Sequence, residues 1–156
     1  MIKFLDFKNP MISTTPDGRE YLRRYFIFEA LWFRIYLHKI SLSDADPCMH
    51  DHPWRFVSII LRGGYTEHTP KGTFKRRPGR AIYHPVPWLH RLELKKPAWT
   101  ILIGGKVKRE WGFMTPSGWQ SFQEYNKKKD EAEAEAKRLE AKRLKEEAEA
   151  QLVAAS

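Results

Sequence analysis

At 156 residues with six tryptophans and a hydrophobic fraction of 42%, the chain is long enough for one packed domain and too short for two, and it is too apolar to be disordered. A formal net charge of +9 draws it toward anionic partners. A lone Cys48 excludes an internal disulfide, no apolar stretch approaches the roughly 20 residues that a membrane helix needs, and MIKFLDFKNP lacks the pattern of a secretion signal. The expectation is therefore an intracellular, cytoplasmic protein with no membrane partner.

In chain order, GREYLRRYFIFEALW (18–32) fits either a short helix or a strand. FRIYLHKISL (33–42), FVSIIL (56–61), RAIYHP (80–85), LHRLEL (89–94) and WTILIGG (99–105) are rich in β-branched and aromatic residues and are separated by Gly, Pro or Lys clusters. Short, evenly spaced strands of this kind predict an all-β sandwich or barrel, since a lone sheet would leave edges and one face uncovered. From Lys127 onward the chain is almost entirely Ala, Glu, Lys, Arg and Leu, with no Gly or Pro and with acids three or four residues from bases. Residues 127–156 hold eight basic and eight acidic residues against 20 and 11 in residues 1–126, so the whole net charge belongs to the first part. The division predicted is a β domain over 1–126 and an exposed, charged helical tail over 127–156; Leu139, Leu144, Leu152 and Val153 are too sparse for a coiled-coil seam.

Chemistry concentrates in CMHDHPWRF (48–56). In an extended strand, residues two apart share a face, so His50 and His52 project together while Asp51 points away. Two imidazoles so placed suit a metal; a polar turn capped by Asp51 is the competing reading. Downstream, GRAIYHPVPWLHRLEL (79–94) supplies His90 and, six residues earlier, His84, a fourth ligand or a supporting donor.

These two segments together resemble the cupin motifs. His50, His52 and Gly64 fall in register with the first motif, and Gly79, Pro85 and His90 with the second, separated by a 14-residue intermotif stretch. HDHPW, ILRGGYTE, RRPG, AWTILIGG and REWGFMTPSGW are similar to small cupin proteins of bacteriophage and prophage, over roughly residues 20–125. The resemblance implies a small cupin barrel (double-stranded β-helix, or jelly roll) followed by the helical tail, with a divalent transition metal on His50, His52 and His90. Phe56 and Val57 stand where the family places a metal-ligating glutamate, and Asp44, Pro87 and Leu94 replace two glycines and an asparagine at turn and support positions. A three-histidine site is thereby implied, as in thiol dioxygenases, with Fe(II) favoured over Zn, Mn or Ni. Three neutral ligands leave the charge of the ion uncompensated, which favours an anionic substrate.

The remaining polar residues have plainer readings. His38 is expected in the interior rather than on a metal, and His68, beside Glu67 in the loop-like YTEHTPKGTF, in solvent. Tyr36, Tyr65 and Tyr83 suit either proton transfer near a metal or core packing, and Cys48 a small buried hydrophobe. Trp54 and Trp88, next to the histidine motifs, are expected to wall a substrate pocket, with Trp99, Trp111 and Trp119 in packing roles. Arg55 and Arg91 are the residues expected to orient the substrate, within a basic rim that includes Arg62, Lys75, Arg76, Arg77 and Arg80. The functional expectation is a metal-dependent enzyme, dioxygenase-like, acting on a small anionic molecule. The alternatives are a Zn- or Mn-dependent sugar isomerase or hydrolase, and a non-catalytic protein that uses its basic surface and tail to bind a ligand, nucleic acid or protein; a homodimer fits either class.

Overall fold

The computed structural model describes residues 3–30 and 32–154. Twelve strands precede one helix: β1 Lys3–Thr14, β2 Glu20–Ala30, β3 Phe33–Ile40, β4 Met49–His50, β5 Phe56–Arg62, β6 Tyr65–Thr69, β7 Gly72–Arg76, β8 Ala81–His84, β9 Arg91–Glu93, β10 Ala98–Gly104, β11 Gly112–Thr115, β12 Gly118–Ser121 and α1 Phe122–Ala154. The segment that fitted a helix or a strand is β2. The period-two burial of β3 and of β10 is the alternation that strands require when one face is buried.

The strands form antiparallel sheets in the order β1-β2-β3-β10-β5-β8, β12-β11-β4 and β7-β6-β9. The two three-stranded sheets meet at one bridge, where His50 N donates to His90 O at 2.8 Å and His90 N to His50 O at 2.9 Å. Among the described residues, sheet pairing leaves β1, β8, β12 and β7 as edges, so the ladders alone do not close the expected barrel. The sheets pack as two layers.

The layers pack through Ile40, Ile60 and Ala98 of the six-stranded sheet against Tyr65 and Leu92 of the other, with Leu22, Ile82 and Leu94 around them. A second cluster joins Tyr36, Phe56 and Leu102 to Phe26 and Trp54. Ile60 is 1% exposed and Ala98 not at all, so these clusters supply the main apolar burial, worth about 25 cal/mol per Å².

YTEHTPKGTF, expected as loop, is the β6–β7 hairpin, with Glu67 opposite Phe74 and Thr69 opposite Gly72. It is entered through Gly63 and Gly64, both at positive φ; a side chain on Gly64 would lie 2.5 Å from the carbonyl oxygen of Arg76, so only glycine lets the hairpin start there. Helix α1 begins at Phe122, earlier than the composition change near Asn126. Phe122 stacks on Trp111 with centroids 4.3 Å apart, Phe113 lies 4.3 Å from Tyr125, and the Tyr125 hydroxyl donates to Asp46. Beyond this anchored turn Leu139 and Leu144 are exposed, as expected of a solvated helix. Among the described residues no helix is long and apolar enough to cross a membrane.

Candidate metal centre

Strand β4 and the bridge to residue 90 bring the three histidines together. One ring nitrogen from each of His50, His52 and His90 lies within 4.8 Å of the others, and the ring centroids are 4.8 to 5.2 Å apart. His52 Nε2 and His90 Nε2 are 2.9 Å apart, close to the separation of about 2.9 Å expected for two ligands at about 2.0–2.1 Å and a right angle about one ion. Asp51 points away, as the alternation predicts, and its role is structural. It is fully buried, accepts from Gly112 N at 2.8 Å and Trp119 Nε1 at 3.1 Å, and pairs with Arg109 at 3.2 Å, fastening β4 to the β11–β12 hairpin.

One carboxylate aims a ring and a second lies beside another. His90 Nδ1 donates to Glu67 Oε1 at 2.8 Å, which fixes the tautomer and leaves the Nε2 lone pair facing His52. His50 Nδ1 lies 3.5 Å from Asp44 Oδ2; Asp44 in turn accepts from Leu92 N at 2.7 Å and from the Tyr21 hydroxyl. Burial, followed by the field of His90, brings the His50 imidazole down to about 4. Burial and the neighbouring imidazoles hold His52 well below its ordinary value. Both rings are thus neutral near pH 7, the form that coordinates a metal.

Glu67 is the residue that the sequence patterns did not single out. It is fully buried, and Oε1 accepts from His90 Nδ1, from His84 Nε2 at 3.1 Å and from Trp88 Nε1 at 3.0 Å. Oε2 accepts from Arg76 Nε at 2.7 Å. Burial pushes this carboxyl up, but the hydrogen bonds from His84, His90 and Trp88 outweigh it and hold the group well below the usual carboxylate range. Glu67, His84 and His90 also stand close enough to share an ion. Four donors on two oxygens, one of them an indole N–H with no lone pair, make that cluster a satisfied hydrogen-bond network instead. The signal in the sequence was the alternation Tyr65, Glu67, Thr69 ahead of a Pro-Lys-Gly turn, which places all three on one face; the observed burial alternates in that way.

The other expected residues fall as follows. His84 is 1% exposed, stacks on Phe56 at 4.2 Å and 9°, and donates to Glu67, so it supports the site; its Nδ1 is buried without a partner. Trp88 holds Glu67 rather than lining open space. Trp54 packs into the Tyr36–Phe56–Leu102 cluster with Arg34 over its ring. Phe56, where the resemblance places a glutamate, turns its ring to His52 at 4.8 Å and gives the site an apolar wall. The structure does not bring Arg55 or Arg91 to the histidines: Arg55 is exposed, and Arg91 alternates out of the face that carries His90 and Leu92. Arg76, assigned to the rim, is turned inward onto Glu67, while Arg62, Lys75, Arg77 and Arg80 are exposed. His38 is interior, 5% exposed, and accepts from Arg24 Nε at 3.0 Å. His68, expected in solvent, is half-buried and pairs with Glu93 at 2.9 Å. Tyr83 is exposed, whereas Tyr36 and Tyr65 are core residues; Cys48 is half-buried beneath the Tyr125 hydroxyl at 3.8 Å.

No protein-family model matches the chain, and no curated protein does. Solved structures do. The chain is similar to a cupin-2 domain protein from Rhodospirillum rubrum, with a TM-score of 0.58 and 10% identity over 70% of this chain and 77% of that one. It is similar to the polyketide cyclase RemF from Streptomyces resistomycificus, with a TM-score of 0.55 and 17% identity over 71% and 84%. KdgF from Halomonas sp. gives a TM-score of 0.53 and 13% identity over 68% and 96%. At such identities the shared property is the architecture: the β domain has the cupin fold, with a cluster of histidines and carboxylates that suits a metal at its centre.

Proposed function

We propose that the chain is a cytoplasmic, metal-dependent enzyme acting on a small anionic molecule, with a divalent transition metal on His50, His52 and His90. The observation that carries this reading is the His90 ring, pinned by Glu67 so that its bare Nε2 stands 2.9 Å from that of His52. Three neutral nitrogen donors fit Fe(II) and, less selectively, Zn, Mn or Ni. A bound Fe(II) would supply oxygen activation, and any of these ions would supply Lewis acidity.

The chain's own residues do the rest. Glu67 holds the ring of His90 in the tautomer that presents a lone pair, and the Asp44 carboxylate lies beside His50. Phe56 and the stacked His84 exclude water on one side, which strengthens any field acting on a bound anion. The positive charge left by three neutral ligands selects anions. Oxygen-dependent chemistry is the leading form of the proposal. Redox-neutral Lewis-acid chemistry is the second, favoured by the structural likeness to a polyketide cyclase.

Oxygen uptake by the Fe(II)-loaded protein, measured across a panel of thiols and small carboxylic acids, decides between them. Uptake that vanishes in His90→Ala is the expected result. No uptake with any acid, together with turnover of one of them on the Zn- or Mn-loaded protein, would transfer the reading to the Lewis-acid form. Full metal occupancy with turnover by neither form would leave a binding protein, whose exposed Lys75, Arg77 and Arg80 suit phosphates.

A further inference from the structure

We propose that Arg34, Arg24 and the indole N–H of Trp54 form a subsite, on the inner face of the six-stranded sheet, for the carboxylate head of a small acid. The inference rests on the reading that an anion enters the interior beside the histidines. In β3 the buried residues are Arg34, Tyr36, His38 and Ile40, and Ile40 packs against Tyr65 and Leu92 of the opposite layer. Arg34 therefore shares the inward face of the strand, 8% exposed. Its guanidinium lies 4.3 Å over the Trp54 ring.

Two donors there have no acceptor: Arg34 Nε and Trp54 Nε1 are both buried without a hydrogen-bond partner. An interior donor left unpaired costs about 1–3 kcal/mol, so an element built only for stability would not collect two side by side. Gly104 makes the room for them. A side chain at that position would come within 2.8 Å of Arg34 Cγ and 3.0 Å of Trp54 Nε1. Arg24 joins from β2: its Nε donates to His38 at 3.0 Å and its guanidinium sits 4.7 Å over the Tyr36 ring. Phe56 packs in one cluster with Tyr36 and Trp54 and lies 4.8 Å from the His52 ring. The subsite and the histidines therefore face one interior.

Charge selects the ligand. Glu29 lies opposite Arg34 in the β2–β3 register, and its charge acts on Arg24 and Tyr36. Two guanidinium groups against that one carboxylate leave a single positive charge, and buried charge requires a partner. A carboxylate neutralises it and accepts from planar donors through both oxygens, whereas a phosphate dianion would overshoot.

The test uses the full-length, Zn-loaded protein with sodium propionate and, separately, inorganic phosphate. Binding is followed at the Trp54 indole N–H resonance, identified by its absence in Trp54→Phe, and by calorimetry; metal content is measured in each sample. Propionate is expected to shift that resonance, and Arg34→Gln to weaken binding by about tenfold or more, the loss of one charge-assisted contact, while Arg55→Gln leaves it unchanged. Unaltered propionate affinity in a folded Arg34→Gln, or tighter binding of phosphate than of propionate at that resonance, overturns the proposal. Should Arg34→Gln fail to fold, Trp54→Phe, which keeps an aromatic ring under the guanidinium and removes the indole donor, is read by calorimetry in its place: weakened propionate binding supports the subsite and equal binding overturns it. A protein that takes up metal but binds propionate independently of Arg34 loses the subsite and keeps the metal centre; Arg34-dependent binding by a chain that takes up no metal does the reverse.

Discussion

Glu67 gathers donors from two strands, the bridge residue His90 and the loop before it onto two oxygens. Glu67→Gln replaces one acceptor oxygen with an NH2 that faces either Arg76 or the imidazoles. We expect metal affinity to fall by about 10–100-fold, the usual cost of losing a carboxylate behind a ligating histidine, with folding stability down by about 1–3 kcal/mol. Competition against a chelator and a urea titration read the two effects separately. A second expectation concerns His38, which burial, aided by the charge of Arg24, brings down to about 3. The unfolded chain takes up this proton near the ordinary histidine value of 6.5, the folded chain only near 3, so the unfolded state binds more protons between those limits. Stability contributed by neutral His38 is therefore complete above about pH 6.5 and falls as the pH drops, by up to about 1.4 kcal/mol per pH unit. Urea midpoints at pH 7, 6 and 5 should decline, and His38→Gln should flatten the decline. Glu67 adds its own loss only below the ordinary carboxylate range, since its folded value is depressed.

Among the elements, the β6–β7 hairpin decides the site, because it alone carries Glu67 and Arg76. Gly64→Ala would force a side chain to within 2.5 Å of the Arg76 carbonyl oxygen at a φ of +117°. A destabilisation of about 1–3 kcal/mol is expected, measured by thermal or urea unfolding, with weaker metal binding because Glu67 moves with the hairpin. This hairpin is also where the sequence was least legible. Strands at 33–42, 56–61, 80–85, 89–94 and 99–105 declared themselves through β-branched and aromatic runs bounded by Gly, Pro or Lys clusters. β6 hides its strand character because the residue it buries at its centre is a glutamate, and burial of a charge becomes intelligible only when Arg76, His84, Trp88 and His90 are seen around it. His50, His52 and His90 were legible because spacing along a strand fixes facing. Arg24 and Arg34 were not, because a basic residue at every second position of a strand reads as belonging to a solvent face, whereas Arg34 shares the buried face of Tyr36 and Ile40. Arg55 and Arg91 were drawn to the site by nearness in sequence, and strand alternation and exposure turn them away from it.

At the scale of the molecule, the tail and the β domain touch through a short anchored turn. Phe122 and Tyr125 hold it against Trp111, Phe113 and Asp46, and Lys129 adds an exposed contact to Asp46 at 3.3 Å. Removing residues 131–156 should leave the unfolding free energy within about 0.5 kcal/mol of that of the full chain, as for other changes away from packed features, whereas Tyr125→Phe, which deletes the hydroxyl on Asp46, should cost about 1 kcal/mol. Precipitation of the truncated chain would show that the helix covers an apolar surface. The division of labour is then a double layer that buries a histidine cluster, a hairpin that orients it and a solvated helix outside it.

The proposed chemistry requires that His50, His52 and His90 share one ion. Anaerobic titration of metal-stripped protein with Fe(II), read by calorimetry and checked by elemental analysis, tests this most directly. One equivalent per chain, falling below about a tenth of an equivalent in both His52→Ala and His90→Ala at the same free metal, is the predicted result. Stoichiometric binding that survives loss of either ring, or no binding by the intact folded chain, would contradict it.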